Sequence, residues 1–532
     1  MSAEPVSPDA TAADRPPWVR PLLVLLAVAA GYGVTLVPWS QPMPPAASRL
    51  LAITVAMALL WFTEAMPLAV TSLVPLVAYP LLGVLGSKPT AAAYINTYTF
   101  LFFGGLVIAA SLERWNLHRR LALLTMQRVG TSPLRLCIGL MLVAAGLSMW
   151  ISNTATAMLM LPIGLALLAT LEEQMSETDR AASGDTLAAC LLLSIAYGAN
   201  CGGMATPVGT PTNITLLNEW SQVDSLAARP APSLAKWLLM AGPFVAAMLG
   251  VLVVYFAVRL RRVPKTQLGD DFFADRLRSL GPMDGGSWAV LTIFVLTAAA
   301  WITREKLALG ETTLSPGWRA PLEATLQSRG WTVPDKSIND TVVAIGAVLL
   351  LFLIPGRGRT FAPGTTASTA PKWQSLVDWD ALEKRLPWGV LLLFGAGFAI
   401  AAAFKATGLA EWSGQMLAAR LDGTSPTVTT AGVVLLVTGL TEFTTNVGTL
   451  NTLLPVVSSL AIELGIDPPQ LMLPATLAAS CAFMLPIATP PNAIVFGSGR
   501  LSLPRMAAAG LLLNVAALIL LVLMAPTLFA GA

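Results

Sequence analysis

The chain has 532 residues, of which 55% are hydrophobic and only 11% are charged. This composition excludes a string of soluble domains and predicts a polytopic membrane protein. The net charge of +3 gives no support for a nucleic-acid partner.

Histidine and cysteine are scarce. The only histidine, His118, lies in a basic stretch and is interpreted as a solvated loop residue. The four cysteines are interpreted as ordinary buried thiols, because their spacing matches no metal-ligand pattern. No nucleophile, base and orienting group occur together, so we expect no enzymatic activity.

Apolar runs of about 20 residues predict helices that cross the bilayer. Residues 1–19, rich in Pro, Ala and Asp, precede these runs and predict a disordered cytoplasmic tail. Two long apolar blocks interrupted by polar residues, 133–171 and 427–462, predict re-entrant hairpins. Single crossings are predicted near 20–39, 47–67, 68–86, 98–113, 185–218, 234–258, 287–303, 341–355, 387–405, 469–498 and 504–529. The predicted fold class is an all-α membrane protein with about eleven transmembrane helices and two hairpins.

Lysine and arginine are concentrated in alternate loops. They follow the crossings at 98–113 and 234–258, and they precede the crossing at 387–405. Cytoplasmic loops retain basic residues, so this pattern places the amino terminus in the cytoplasm and the carboxyl terminus outside. The predicted outer loop 303–340 also contains basic residues and is the exception.

The two halves of the chain resemble each other. FLFFGGLVIAASLERWNL at 100–117 is similar to LLLFGAGFAIAAAFKATG at 391–408, and each is followed by Thr-Ser-Pro and then by a predicted hairpin. An odd number of crossings separates the copies, which predicts an inverted repeat of the kind found in secondary transporters. Apolar residues spaced among charges at 373–388 predict an interfacial amphipathic helix leading into the second copy.

Each predicted hairpin contains a polar motif inside apolar sequence: Ser-Asn-Thr at 152–154 and Thr-Asn-Val at 445–447. Each is followed by a matching element, Gly-Thr-Pro-Thr-Asn at 209–213 and Ala-Thr-Pro-Pro-Asn at 488–492. The chain therefore carries one membrane-embedded polar site twice. Polar residues in a membrane helix also hydrogen-bond neighbouring helices, but paired motifs in repeat positions favour a ligand site over packing alone.

The residue types in these motifs suit both a cation and an anion. Carbonyl groups at helix C-termini and hydroxyl groups provide oxygen ligands for Na+, whereas N–H groups at helix N-termini attract anions. No lysine or arginine occurs in 136–171, 185–218 or 428–498. Co-bound cations would supply the missing positive charge and would make anion binding depend on cation binding.

Two carboxylates, Glu64 and Glu442, lie in apolar surroundings. An intramembrane carboxylate is a candidate proton carrier. Structural anchoring at a helix end is the alternative for both residues, and it is favoured for Glu64.

The segment ASCAFMLPIATPPNAIV at 479–495 resembles the sodium:sulfate symporter signature along its whole length. With the paired motifs and the repeat, the chain resembles the divalent anion/sodium symporter family, which carries di- and tricarboxylates or sulfate. The resemblance implies two sodium sites and one substrate site. The sodium ligands would be Ser148, Ser152, Asn153 and the loop at Gly209 in one site, and Thr441, Thr444, Asn446 and the loop at Ala488 in the other. The substrate would meet Asn153, Thr154, Asn446, Val447, Thr489 and Pro490.

The same resemblance implies a homodimer that works by an elevator-like motion. Scaffold segments would be 20–113 and 219–390, transport-domain segments 114–218 and 391–498, and the last helix would lie in 499–532. The implied function is sodium-coupled import of small divalent carboxylates such as succinate, malate or fumarate across the inner (plasma) membrane.

Three alternatives remain open at this point. The same fold would serve a sulfate symporter or a dicarboxylate exchanger, and a sensor or channel-like protein would bind an anion without coupled transport. Val447 stands where the family usually has threonine, so one hydroxyl is missing from the second motif. An unreplaced donor to a carboxylate would cost about 1–3 kcal/mol, which leaves the preferred anion open.

Overall fold

A computed structural model describes residues 18–226, 229–264, 272–309, 312–334, 337–356, 375–384 and 386–528. Within these residues the fold is helical apart from one small hairpin, so the all-α fold class is confirmed. The predicted tail lies outside the described residues except for its last two positions.

The helices of the first half are α1 (Val19–Thr35), α2 (Pro45–Thr63), α3 (Leu68–Thr71), α4 (Val74–Leu81), α5 (Ser87–Tyr94), α6 (Thr97–Arg114), α7 (Leu117–Val129), α8 (Pro133–Ser148), α9 (Asn153–Glu173), α10 (Glu177–Met204) and α11 (Pro211–Gln222).

The helices of the second half are α12 (Leu234–Arg259), α13 (Phe272–Ser279), α14 (Gly285–Ile302), α15 (Arg319–Ser328), α16 (Asp340–Leu353), α17 (Trp379–Glu383), α18 (Trp388–Thr407), α19 (Leu409–Leu421), α20 (Pro426–Thr441), α21 (Asn446–Glu463), α22 (Pro469–Ala479), α23 (Pro490–Phe496) and α24 (Leu503–Leu528). Short 3₁₀ turns lie at Asp224–Leu226 and Leu260–Arg262, and β1 (Leu307–Leu309) pairs antiparallel with β2 (Thr312–Ser315).

Length and composition make 8 helical stretches of the described chain suitable for crossing a membrane, and several shorter apolar helices accompany them. The prediction of one continuous crossing at 68–86 is wrong, because the helix is interrupted at Ser72 and Leu73. Pro75 follows directly at the start of α4 and Pro80 lies near its end. Proline has no backbone N–H and its ring obstructs the preceding turn, so short helices form instead of a long one.

The repeat is visible in the order of the helices. α6 and α7 meet at Asn116, and α18 and α19 meet at Gly408, and both residues have a left-handed backbone with φ of 51° and 72°. α8 and α20 then begin with Pro133 and Pro426, where a missing N–H costs nothing. Each copy continues as a helical hairpin, α8–α9 or α20–α21, and then a broken helix, α10–α11 or α22–α23. The two predicted hairpins are therefore present as helical hairpins, and their re-entrant placement in the membrane stays a prediction.

α10 is the central helix of the first half. The most apolar 18 residues of α10 are fully buried, and α10 packs against α8, α9, α12 and α23. A methyl group on Gly198 would lie 2.7 Å from the carbonyl oxygen of Met141, and one on Gly202 would collide with Ala145. Small residues thus allow α10 to approach α8 closely, as is common between membrane helices.

The loop 303–340 is held together by ion pairs. Arg304 lies 2.6 Å from Asp340 and 3.1 Å from Glu305, and its side chain is 6% exposed. The small β1–β2 hairpin in this loop was not predicted from the sequence.

The predicted amphipathic helix at 373–388 is much shorter than expected. Apart from Trp388, where α18 begins, only α17 is helical among its described residues, and Leu376 and Val377 are buried at a bend before it. Trp115 Nε1 donates to the carbonyl oxygen of Leu376 at 2.9 Å, so the backbone here bonds to α6–α7 instead of forming a helix.

One further expectation needs correction, and another agrees with the structure. His118 is not a solvated loop residue: it lies on α7 and is 4% exposed. Burial lowers the pKa of His118 to about 4, opposed by its bond to the carbonyl of Leu112. Glu64 is exposed and forms the left-handed C-cap of α2, which agrees with its interpretation as a helix-end residue.

Candidate functional site

The first hairpin places a hydroxyl opposite an asparagine across its tip. α8 ends at Ser148, and Ser152 is the N-cap of α9, where its oxygen accepts from the backbone N–H of Ala155 at 3.3 Å. Asn153 is therefore the first residue of α9. Its Oδ1 lies 2.5 Å from Ser148 Oγ.

Asn213 closes the break between α10 and α11. Its Nδ2 donates to the carbonyl oxygens of Gly203 at 3.1 Å and Thr206 at 2.7 Å. The Thr206 hydroxyl donates to the carbonyl of Met149 in the hairpin link. These bonds satisfy backbone groups that a broken helix would otherwise leave without partners inside the membrane.

Two glycines let this break approach the hairpin tip. A methyl group on Gly203 would collide with the side chain of Asn153. A methyl group on Gly209 would lie 2.6 Å from the Gly203 carbonyl oxygen and 2.8 Å from that of Ser148. Oxygens of Ser148, Asn153 and Gly203 therefore converge, and these three residues form the first oxygen cluster.

The second hairpin repeats this arrangement. α20 ends at Thr441, and Thr445 caps α21 by accepting from the N–H of Gly448 at 3.1 Å. Thr441 Oγ1 lies 2.7 Å from Asn446 Oδ1 and 2.9 Å from the carbonyl oxygen of Ala479 at the end of α22. Thr441, Asn446 and Ala479 form the second oxygen cluster.

The break between α22 and α23 is closed in the same way as the first. Asn492 Nδ2 donates to the carbonyl oxygens of Ala482 and Leu485, both at 3.1 Å, with the same sequence spacing as the bonds of Asn213. Thr489 is the N-cap of α23 and accepts from the N–H of Asn492 at 3.4 Å.

Both clusters fit a small, hard cation such as Na+. In the second cluster, the single hydroxyl hydrogen of Thr441 faces two acceptors, Asn446 Oδ1 and the Ala479 carbonyl. Unwound carbonyls and helix C-termini are the groups with which secondary transporters hold Na+. The described part of the chain has no group of three His, Cys, Asp or Glu side chains that could hold a metal. A cation bound at either cluster would therefore have neutral oxygen ligands.

Glu442 supports the second break directly. It is 4% exposed, and its carboxylate accepts from the backbone N–H groups of Phe483, Met484 and Leu485 at 3.0–3.2 Å and from Asn514 Nδ2 at 2.6 Å. These N–H groups have left the helix and need an acceptor inside the membrane, which the carboxylate supplies. The geometry favours the structural anchor over the proton carrier.

The ligand roles of the other predicted site residues stay predictions. The hydroxyl of Thr444 donates to the carbonyl of Leu440 at 2.9 Å, within its own hairpin. Ser152 is engaged as a helix cap. Of the rest, the half-buried residue is Thr154, the buried residues are Gly209, Val447, Ala488 and Thr489, and the exposed residue is Pro490.

Sequence reasoning did not assign roles to Gly203, Asn213, Asn492 or Asn200. The recurrence of asparagine at the last position of both 209–213 and 488–492 was the available signal for two of them. Nothing in the sequence indicated that Gly203 faces Asn153 or that Asn200 faces the opposite break.

The two clusters belong to one packed unit. The second helix of each hairpin contacts the short helix of the other half, so α9 packs on α23 and α21 packs on α11. Ion pairs follow the same crossing pattern: Arg500 pairs with Glu172, and Arg229 lies 2.8 Å from Asp467. Each half therefore braces the hairpin of the other.

Two hairpins that meet two broken helices around paired oxygen clusters define a membrane transporter of the secondary type. The chain belongs to the sodium:sulfate symporter family, because the family described as "Sodium:sulfate symporter transmembrane region" matches residues 19–529. This confirms the resemblance drawn from 479–495, and membership of a transporter family agrees with the expectation that the chain is not an enzyme.

Curated relatives agree with this family, and a solved structure shares the fold. The chain is 36% identical over 475 residues to the sodium-dependent dicarboxylate transporter SdcS of Staphylococcus saprophyticus, covering 89% of this chain and 84% of that protein. It is 36% identical over 488 residues to SdcS of Staphylococcus aureus strain USA300, covering 91% and 86%. The solved structure of Neisseria gonorrhoeae MtrF, described among antimetabolite efflux pumps, has a TM-score of 0.51 at 10% identity and covers 95% of this chain and 93% of that one. At this identity the likeness concerns the fold alone.

Proposed function

We propose that this protein is a sodium-coupled symporter that imports small divalent carboxylates such as succinate, malate and fumarate by alternating access. The observation that carries the proposal is the pair of neutral oxygen clusters, each beside the N-terminus of a helix that follows a hairpin tip. Relatives that cover most of the chain are named sodium-dependent dicarboxylate transporters, which supports both the ion and the substrate class.

The charge balance couples the two ligands. A dicarboxylate carries two negative charges, yet no lysine or arginine occurs in 136–171, 185–218 or 428–498, which contain the hairpin tips and both breaks. Sodium ions at the two clusters supply the positive charge, so the anion binds well only after the cations. The N-termini of α9 and α21 add the positive ends of their helix dipoles.

The substrate lies between the hairpin tips. Asn153 and Thr154 on the first hairpin and Asn446 on the second offer polar groups to its carboxylates, with Thr489 and Pro490 at the second break. Val447 lines the same end without a hydroxyl, and a water or a neighbouring threonine replaces that donor.

The braced hairpins and breaks move together. Segments 114–218 and 391–498 form the transport domain, and 20–113 and 219–390 form the scaffold of a homodimer in the plasma membrane, with the amino terminus in the cytoplasm and the carboxyl terminus outside. The packing of α9 on α23 and of α21 on α11 supports motion of the transport domain as one body.

Uptake of radiolabelled succinate into proteoliposomes tests the function. An inward sodium gradient should drive accumulation above equilibrium, whereas equal potassium should not. Asn153→Ala should abolish accumulation because it removes an oxygen of the first cluster. Thr170→Ala is the matched control, because its hydroxyl bonds only to the Ala166 carbonyl within α9.

The same assay separates the alternatives. Uptake that requires liposomes preloaded with dicarboxylate would identify an exchanger. Accumulation of labelled sulfate without succinate would identify a sulfate symporter, and binding without either flux would identify a sensor.

A further inference from the structure

A buried hydrogen bond joins the two helix breaks. Thr212 Oγ1, at the start of α11, lies 2.8 Å from Ser480 Oγ, just after α22. The two residues are 0% and 3% exposed, so water does not compete for this bond. A hydroxyl pair in such surroundings holds its partners at a fixed separation.

Each end of this bond adjoins one oxygen cluster. Thr212 precedes Asn213, whose amide holds the Gly203 carbonyl of the first cluster. Ser480 follows Ala479, whose carbonyl oxygen belongs to the second cluster and lies 2.9 Å from Thr441. The Gly203 carbonyl and the Ala479 carbonyl are therefore connected through only a few bonds, and a displacement of one can reach the other.

A second bridge runs beside the first. Asn200 Nδ2, on the last turn of α10, donates to Thr489 Oγ1 at 3.1 Å and to Asn492 Oδ1 at 3.3 Å. Asn200 is 1% exposed. Since Asn492 also closes the second break, Asn200 connects the end of the first broken helix to the residue that shapes the second.

These bridges are not products of the repeat. When 209–213 is matched with 488–492, Pro491 corresponds to Thr212 and Cys201 corresponds to Ser480. Proline offers no side-chain donor, so the second half cannot form the equivalent bond. Because the second half has no counterpart to these bonds, the internal repeat does not explain them.

We propose that Thr212, Ser480 and Asn200 are positioning residues that couple the two cation clusters, so that sodium bound at one raises the affinity of the other. The inference rests on the proposed function. A bound cation fixes the arrangement of its carbonyl ligands, and the bridge transmits this arrangement to the opposite break. The ligands of the second cation are then already ordered, so the entropic cost of binding it is smaller. The coupling is reciprocal.

The test is the sodium dependence of succinate uptake in proteoliposomes. Wild type should show a Hill coefficient near 2, and Thr212→Val and Ser480→Ala should lower it toward about 1 while uptake at saturating sodium persists. Thr212→Ser keeps the hydroxyl and should restore the wild-type coefficient. Asn200→Ala should lower the coefficient as well.

Thr215→Val is the matched control. Its hydroxyl makes a buried bond of similar length, 3.1 Å to Asn451 Oδ1, from the same helix, but it touches neither break. This variant should keep the wild-type coefficient. A general loss of stability would lower the maximal rate of all these variants without changing the steepness of the sodium curve.

The outcomes separate the two proposals. Absence of sodium-driven uptake in wild type would overturn the proposed function. Sodium-driven uptake with the same Hill coefficient in wild type, Thr212→Val and Ser480→Ala would overturn the coupling alone. Titration of the melting temperature with sodium, without any anion, gives a second measurement of coupling that does not depend on the transported substrate. If the sodium dependence of the melting temperature were equally steep in wild type and in Thr212→Val, this result would also contradict the coupling.

Discussion

The two halves present the same asparagine to the same kind of hydroxyl, yet they support the adjoining helix break by different means. In the first half, α10 stays helical to Met204, and glycines let the break touch the hairpin. In the second half, α22 stops at Ala479, which corresponds to Asn200, and the break is four residues longer.

Glu442 explains how the longer break is stable. The N–H groups of 483–485 have left the helix, and the Glu442 carboxylate accepts from all three. The corresponding position in the first hairpin is Met149. No acceptor is needed there, because Met204 is still helical and the Ala205 N–H donates to the Gly202 carbonyl. The comparison teaches that one oxygen cluster depends on close backbone packing and the other on a buried carboxyl group.

The largest expected effect is at Glu442. Glu442→Ala leaves three buried N–H groups without an acceptor, at about 1–3 kcal/mol each, and should lower the thermal unfolding midpoint sharply and abolish uptake. Met149→Ala, at the matching position, should keep transport. Fluorescence-detected thermal unfolding in detergent measures both variants. Equal losses in the two variants would contradict the comparison.

Gly209→Ala should have the next largest effect. The added methyl would push against the Gly203 and Ser148 carbonyl oxygens, which should weaken the apparent sodium affinity about tenfold, or about 1.4 kcal/mol. The second half already has Ala488 at this position, so Ala488→Gly should change the affinity less than about threefold. Sodium titration of uptake checks the pair, and a larger effect of Ala488→Gly would reverse the interpretation.

The smallest effects are expected at Thr154 and Val447, the second residues of α9 and α21. Thr154→Val should raise the succinate KM about fivefold through the loss of one hydrogen bond of about 1 kcal/mol. Val447→Thr should change it less than about threefold, because this position is buried with 7% exposure. Initial uptake rates over a range of succinate concentrations give both values. A large gain in affinity from Val447→Thr would show that the missing hydroxyl limits substrate binding.

Local patterns allowed the hairpins, the breaks and the family to be predicted from the sequence. Ser152 and Thr445 cap helices, and Pro211 and Pro490 begin them, and these signals lie within a few residues of their effect. The contact of Gly203 with Asn153 and the hydrogen bonds that Glu442 accepts join segments tens of residues apart. Such contacts depend on how helices pack, which a single sequence does not specify.

The errors at His118 and at the crossing 68–86 both came from using local composition to predict local structure. A basic neighbourhood suggested solvent around His118, but the amphipathic helix α7 turns that residue inward. Apolar composition suggested a full crossing at 68–86, but backbone geometry at the prolines overrode hydropathy.

The burial of α10 has a consequence for biogenesis. Synthesis delivers α10 to the bilayer before α23 and α24, two of the helices that cover it, exist. Until then, the amide of Asn200 lacks its partners Thr489 and Asn492, and lipid cannot hydrogen-bond it. The first half is therefore an incomplete folding intermediate that the membrane-insertion machinery must hold, and truncation after α11 should yield a substrate for degradation instead of a half-transporter.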